Sequence, residues 1–132
     1  MTTIETIFKD GDWLTAEEIN RLQESPPETK SLLAHDWQRC GRVFGVSYEG
    51  KDYFARYQFD SLYQPLPVIK DILDAYGAYE DAWSVAAWFH FPNGWITEQK
   101  SNGATPVSPK DALNRCEEVI NAARNRKGSY VA

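Results

Sequence analysis

The chain has 132 residues, a formal net charge of −5 and an apolar fraction of 42%. This length suits one domain or two very small ones, and the apolar fraction is typical of a globular protein rather than a disordered one. The acidic balance argues against a protein that binds nucleic acid mainly through a basic surface. Because no secretory signal or membrane-spanning run is found, we expect a cytoplasmic protein.

The charge is unevenly distributed along the chain. Residues 1–27 carry six acidic and two basic side chains, residues 28–58 carry four and five, and residues 59–132 carry nine and seven. The middle segment, with a net charge of +1, is therefore the one place where a polyanion would be favoured. Cys40 and Cys116 lack metal-ligand spacing, and we expect both to be buried free thiols.

Helix signals dominate the first part of the chain. Thr15 and Glu18 form a predicted capping box at the start of a helix over 16–23. A second helix is predicted over 28–39, and Gly41 is placed for a left-handed cap. The apolar face of this second helix is expected to consist of Leu32, Leu33, Trp37 and Cys40.

Two short strands and a proline-rich hinge follow. The strands are predicted at 43–46 and 52–57, with a turn at Glu49-Gly50. Pro65 and Pro67 then interrupt any regular element, because each lacks a backbone N–H. A helix is predicted directly afterwards, over 68–76, with one apolar face made of Ile69, Ile72, Leu73 and Tyr76.

The regular elements predicted in the remaining chain are all helices. Asp81 is expected to cap a helix that contains Trp83, Ala87, Trp88 and Phe91 and ends before Pro92. Residues 97–107 are polar and predict a loop. Ser108, Pro109 and Asp111 predict the capped start of a last helix. Its inner face is expected to consist of Leu113, Cys116, Ile120 and Ala123.

These elements predict an α+β protein that is mostly helical. Residues 1–58 would form a winged-helix-like module with a short β-hairpin, and residues 59–132 would form a helical bundle that binds a partner. The two could stand as separate modules or share one core.

No catalytic chemistry is indicated by the sequence. His35 and His90 are the only histidines, neither adjoins a nucleophile motif, and no glycine-rich phosphate loop is found. We therefore predict no enzyme activity, no catalytic residues, no metal site and no cofactor.

Two binding surfaces are predicted instead. A helix-turn-helix with a wing would present basic side chains to DNA, although the same residues could also form an ordinary solvated face. The predicted DNA-binding residues are Lys30, His35, Arg39, Arg42, Lys51 and Arg56. A large aromatic patch after the Pro-Asn-Gly turn would bind a protein, unless Trp95 folds back into the core. The predicted partner-binding residues are Trp88, Asn93, Trp95 and Ile96.

The second half resembles the toxin-binding domain of the Xre/MbcA/ParS family of antitoxins. The resemblance is carried by Tyr57-Gln58-Phe59-Asp60, Pro65-Leu66-Pro67, Trp88-Phe89, Pro92-Asn93-Gly94-Trp95-Ile96 and Thr105-Pro106. Residues 13–57 resemble an excisionase/MerR-like winged helix in place of the usual helical Xre-type region. This resemblance is carried by Leu14-Thr15-Ala16-Glu17-Glu18-Ile19, Trp37-Gln38-Arg39 and Gly41-Arg42-Val43-Phe44-Gly45-Val46.

The resemblance implies a non-enzymatic protein, often dimeric, that pairs a DNA-binding half with a half that blocks a toxin, usually one acting on NAD. We therefore expect an antitoxin-like, DNA-associated regulator that forms a homodimer and binds a toxin or another small protein. Two alternatives remain. One is an adaptor or homo-oligomer of a mobile genetic element without a nucleic-acid role. The other is a small-molecule-binding module lined by the tryptophan cluster.

Overall fold

The computed structural model describes residues 3–23, 32–79, 81–100 and 103–125, and confirms an α+β fold that is mostly helical. The helices are α1 (Thr3–Asp10), α2 (Ala16–Arg21), α3 (Leu33–Arg39), α4 (Pro67–Tyr76), α5 (Ala82–His90) and α6 (Cys116–Asn125). The strands are β1 (Trp13–Thr15), β2 (Val46–Tyr48), β3 (Lys51–Ala55), β4 (Asn93–Lys100) and β5 (Gly103–Val107). The chain divides into two compact units, unit 1 (Met1–Lys70) and unit 2 (Asp71–Ala132).

Unit 1 contains a three-stranded antiparallel sheet in the order β1-β3-β2. The strand β1 was not expected from the sequence, and it pairs Leu14 with Phe54 so that both side chains enter the core. The hairpin between β2 and β3 turns at Glu49-Gly50, where φ is 50° and 82°. Two positive φ values are those of a two-residue hairpin turn, and the predicted turn is confirmed.

Local signals fix the start of the short helix α2 and the end of the short helix α3. The capping box is confirmed, because the Glu18 N–H donates to Thr15 Oγ1 at 3.2 Å and the Thr15 N–H donates to Glu18 Oε1 at 3.1 Å. The helix α3 ends at a left-handed Gly41 with φ of 75°, as predicted. Its last carbonyls are satisfied by a Schellman pattern, in which the Arg42 N–H donates to the Trp37 carbonyl at 2.9 Å.

Two details of α3 differ from the sequence prediction. The helix begins at Leu33, while the predicted start at 28–31 lies outside the described residues. Cys40 caps the helix end and is exposed, because the chain leaves the helical path there. The predicted burial of this thiol is therefore wrong.

The core of unit 1 surrounds a fully buried glutamine, Gln58. Its side chain accepts from the Phe44 N–H at 2.8 Å and donates to the Phe44 carbonyl at 3.0 Å. Its backbone carbonyl accepts from the Leu66 N–H at 2.8 Å. This one residue therefore connects the segment before β2, the end of β3 and the proline-rich hinge. The apolar cluster of this core consists of Leu14, Ala16, Ile19, Ala34, Trp37, Val43, Phe54 and Phe59.

The helix α4 begins at Pro67 and contains the boundary between the two units. Proline is favoured in a first helical turn, where its missing N–H costs nothing. The predicted apolar face is confirmed, and its buried members are Ile69, Ile72, Leu73 and Tyr76. None of the helices in the described ranges is long and apolar enough to span a bilayer.

In unit 2, α5 begins at the predicted cap, because Asp81 Oδ1 accepts from the Trp83 N–H at 3.0 Å. Of the residues predicted in this helix, Trp83, Ala87 and Trp88 lie in α5, and Phe91 is its C-cap. The buried face consists of Val85, Ala86 and Phe89. Because α5 is apolar on nearly all sides, its sequence pattern does not select one face.

The region after α5 contains a β-hairpin, whereas the sequence predicts no strand there. The strands β4 and β5 form an antiparallel hairpin across residues predicted to be a loop, with a register shift between Asn93 and Thr97. Most side chains of β5 are exposed, so the apolar alternation that reveals a half-buried strand is absent. The hairpin is held by backbone hydrogen bonds between its two strands, and these bonds do not require apolar side chains.

The last helix begins later than predicted. Ser108 precedes a short 3-10 turn (Pro109–Asp111), and α6 begins only at Cys116. The Ser108 hydroxyl donates to the His90 carbonyl at 2.8 Å, so it does not cap a helix. The buried face of α6 consists of Val119, Ala122 and Ala123, which replaces the predicted face except at Ala123. Cys116 is exposed, which corrects its predicted burial.

We predict that Gln58→Leu destabilises unit 1 strongly. The substitution leaves the buried Phe44 N–H and carbonyl without their side-chain partner, and each such group costs about 1–3 kcal/mol. Urea unfolding followed by tryptophan fluorescence measures the loss. Gln38→Leu, at an exposed position of α3, is the control and should change stability by less than about 0.5 kcal/mol. Equal stability of the two variants would contradict the prediction.

Candidate nucleic-acid and partner-binding surfaces

The outer face of α3 carries charged residues. Ala34 and Trp37 are buried, and helical periodicity places Arg39 on the side opposite to them. Arg39 is 76% exposed and its guanidinium contacts the carboxylate of Asp36, which is 44% exposed. The cation predicted to face DNA is thus presented to solvent, but an acidic side chain that was not predicted lies beside it.

His35 lies on α3 near the β2–β3 hairpin. Its Nε2 atom lies 3.6 Å from Asp52 Oδ2, and the Ser47 hydroxyl donates to Asp52 Oδ1 at 2.8 Å. A cavity of about 400 Å³ opens beside this contact. It is lined by Thr15, Ala16, Glu17, His35, Gly50, Lys51 and Asp52. At 3.6 Å the Nε2 atom makes no hydrogen bond to the carboxylate, so His35 lies beside the hairpin without being bonded to it.

The remaining predicted DNA-binding residues occupy different environments. Lys51 is exposed at the start of β3, whereas Lys30 lies outside the described residues. The guanidinium of Arg42 lies 6.0 Å from the centre of the Trp37 ring. Arg56 lies 4.3 Å from the Tyr63 ring centre and donates to the Phe59 carbonyl at 2.9 Å, so its side chain is directed into the fold of unit 1. Among the described residues of this group, the exposed cations are Arg39, Arg42 and Lys51.

Three tyrosine phenols have shifted pKa values. Desolvation raises the pKa of Tyr57 well above its usual value, and desolvation followed by the neighbouring Tyr76 raises that of Tyr79. The pKa of Tyr48, at the end of β2, is raised by desolvation and then by the carboxylates of Glu49 and Glu5. All three phenols are therefore uncharged at neutral pH, and the one that lies in the hairpin, Tyr48, adds no negative charge to it.

Unit 2 carries exposed aromatic side chains near the start of β4. Trp95 is 55% exposed and Phe91 is 42% exposed. The Asn93 side chain accepts from the Trp95 N–H at 3.0 Å, which fixes the chain before the tryptophan. Trp88 is half-buried, with its ring 5.7 Å from that of Tyr76 in an edge-to-face arrangement.

One predicted partner-binding residue does not lie on this surface. Ile96 is fully buried, because successive side chains of a strand point to opposite sides and Trp95 occupies the outer one. Phe91, which the sequence predicts at the end of the helix before Pro92, is a surface residue that the partner-binding prediction missed. We call Phe91 and Trp95 together the aromatic surface. Among the residues that the structure describes, no cluster of His, Cys, Asp or Glu is suited to a metal ion.

Comparison with known proteins identifies a fold but no family. No protein family matches the chain, and no curated protein matches it. The chain is similar to the solved NMR structure of Rv2175c, with a TM-score of 0.64 and 19% sequence identity. The similarity covers 89% of this chain and 82% of that one. At this identity the comparison establishes a shared fold.

We predict that Trp95→Ala and Ile96→Ala differ sharply in stability although the residues are adjacent. The exposed tryptophan should contribute less than about 1 kcal/mol to the free energy of unfolding. Removing the buried isoleucine side chain should cost about 2–5 kcal/mol, because it leaves a cavity. Thermal unfolding of both variants, monitored by circular dichroism, tests this. A large loss for Trp95→Ala would mean that its ring belongs to the core.

Proposed function

We propose that the protein is a DNA-associated regulator in which unit 1 is a winged-helix DNA-binding module. The observation that carries the proposal is the order of elements α1-β1-α2-α3-β2-β3 together with the sheet order β1-β3-β2. This order, with two short helices followed by a hairpin that pairs with a strand before them, is typical of winged-helix modules. The similarity of fold to one solved structure leaves the function open.

In the proposed complex, α3 enters the major groove, whose width admits an α-helix. The Asn20 side chain accepts from the Leu33 N–H at 3.2 Å, so α2 and the start of α3 are held together. Arg39 is directed away from the core toward the base edges. Lys51, at the start of β3, would contact the phosphate backbone beside the groove. His35, on α3, would lie beside the hairpin.

For unit 2 we propose partner binding through the aromatic surface, as in an antitoxin-like protein. Exposed large aromatic side chains are enriched at protein interfaces, where they supply much of the binding free energy. A toxin, another small protein or a second copy of the chain would be the partner. The protein would act in the cytoplasm as a non-enzymatic regulator, with the partner modulating its occupancy of DNA.

We predict that Arg39→Glu with Lys51→Glu lowers DNA affinity by at least about tenfold at 100 mM salt, because phosphate and base contacts depend on these cations. Fluorescence anisotropy with a labelled genomic duplex measures the affinity. The matched control is Lys9→Glu with Arg124→Glu, two exposed cations outside α3 and the hairpin. This control changes the net charge equally and should bind like the unmodified protein. If both pairs weaken binding equally, unit 1 binds DNA by another surface.

We predict that Phe91→Ala with Trp95→Ala weakens association while leaving the fold intact. Sedimentation velocity measures self-association, and co-purification at defined stoichiometry measures a protein partner. Leu62→Ala removes a comparably exposed apolar side chain from unit 1 and serves as the control. An unchanged sedimentation coefficient and an unchanged co-purified protein in the double variant would show that the aromatic surface is not the partner site.

A further inference from the structure

The elements proposed to face DNA carry nearly balanced charge. The described residues of α3 include one cation, Arg39, and one carboxylate, Asp36. The hairpin carries Lys51 between Glu49 and Asp52. Because non-specific DNA binding depends on uncompensated cations, such a surface holds the phosphate backbone weakly. Affinity for a particular sequence must then come from contacts to base edges.

The geometry of α3 shows which side chain can make such a contact. Asp36 and Arg39 are three residues apart on the helix, so their side chains are neighbours on one face. Asp36 Oδ1 accepts from Arg39 Nη2, so the carboxylate lies directly beside the guanidinium. The other N–H groups of the guanidinium remain directed to solvent, since the side chain is 76% exposed. The N–H groups of a guanidinium form a planar fork that can donate to two acceptors at once.

We infer that Asp36 and Arg39 form a base-reading pair, in which Arg39 binds the major-groove edge of a guanine and Asp36 determines specificity. The inference rests on the proposed DNA binding by unit 1. Guanine presents two acceptors, O6 and N7, in the major groove, and arginine contacts both with its planar fork. Asp36 has two effects: it orients the fork, and its negative charge repels phosphates that Arg39 would otherwise bind.

Arg39→Lys is the decisive variant, because it separates the effect of the positive charge from the effect of the planar guanidinium fork. Lysine keeps the positive charge but cannot make the planar bidentate contact. Preferred duplexes are first selected from a random library with the full chain. The affinity of each variant is then measured for a selected duplex, for the same duplex with one selected G·C pair changed to A·T, and for a random duplex.

For the unmodified protein, changing the contacted G·C pair should weaken binding about 5- to 150-fold, the range of one good bidentate contact. Arg39→Lys should bind both selected duplexes within about twofold, and its affinity for the random duplex and its salt dependence should stay unchanged. Asp36→Asn should raise the affinity for the random duplex about threefold, because one repulsive charge is removed. Asp71→Asn, an exposed carboxylate outside α3, should leave that affinity unchanged.

The outcomes separate this inference from the proposal on which it rests. Selection that recovers no duplex, together with no binding to random DNA, would overturn the DNA-binding function itself. Binding that discriminates equally well with lysine at position 39 would overturn the role of Arg39 while DNA binding stands. Equal behaviour of Asp36→Asn and Asp71→Asn on random DNA would overturn the role of Asp36. Circular dichroism of each variant checks that the fold is retained.

Discussion

The buried amide of Gln58 holds together the parts of unit 1 that position its candidate DNA-binding surface. A polar side chain without access to water must satisfy its hydrogen-bonding groups internally, and here the Phe44 N–H and carbonyl satisfy them at 2.8 and 3.0 Å. The contact fixes the chain between the end of α3 and the start of β2. The Gln58 carbonyl fixes the hinge at Leu66 in the same way. The course of the chain before β2 and at the hinge therefore depends on the position of one residue.

Local signals were readable from the sequence because each depends on residues only a few positions apart. The Thr15–Glu18 capping box, the left-handed Gly41, the Glu49-Gly50 turn and the Asp81 cap were all predicted and are all present. The contacts that sequence reasoning missed join distant residues. Strand β1 exists because Leu14 pairs with Phe54, forty positions later, and Ser108 bonds to the His90 carbonyl instead of capping a helix.

In the candidate sites, too, local features could be predicted from the sequence and contacts between distant residues could not. That Arg39 would face outward could be predicted, because the buried positions of α3 define its opposite side. The contact of Arg56 with Tyr63 could not be predicted, since it depends on a backbone turn at Asp60–Gln64 that brings the tyrosine ring back onto the arginine. Trp95 and Ile96 were both assigned to one surface, but the strand at Asn93–Lys100 separates them onto opposite sides. The polar residues of the hairpin give no strand signal in the sequence. The separation of the two side chains is therefore visible only from the strand pairing in the structure.

DNA binding by unit 1 and self-association through unit 2, the two proposed activities, would be coupled energetically. A DNA-facing surface with nearly balanced charge gains little from the phosphate backbone, so a single unit 1 would occupy its site only weakly at physiological salt. Joining two such units raises the effective concentration of the second for its half-site, and avidity then exceeds the affinity of either alone. An aromatic surface on unit 2 that binds a second copy would supply this gain. A partner that competes for Phe91 and Trp95 would remove the gain, and it would release DNA without touching α3.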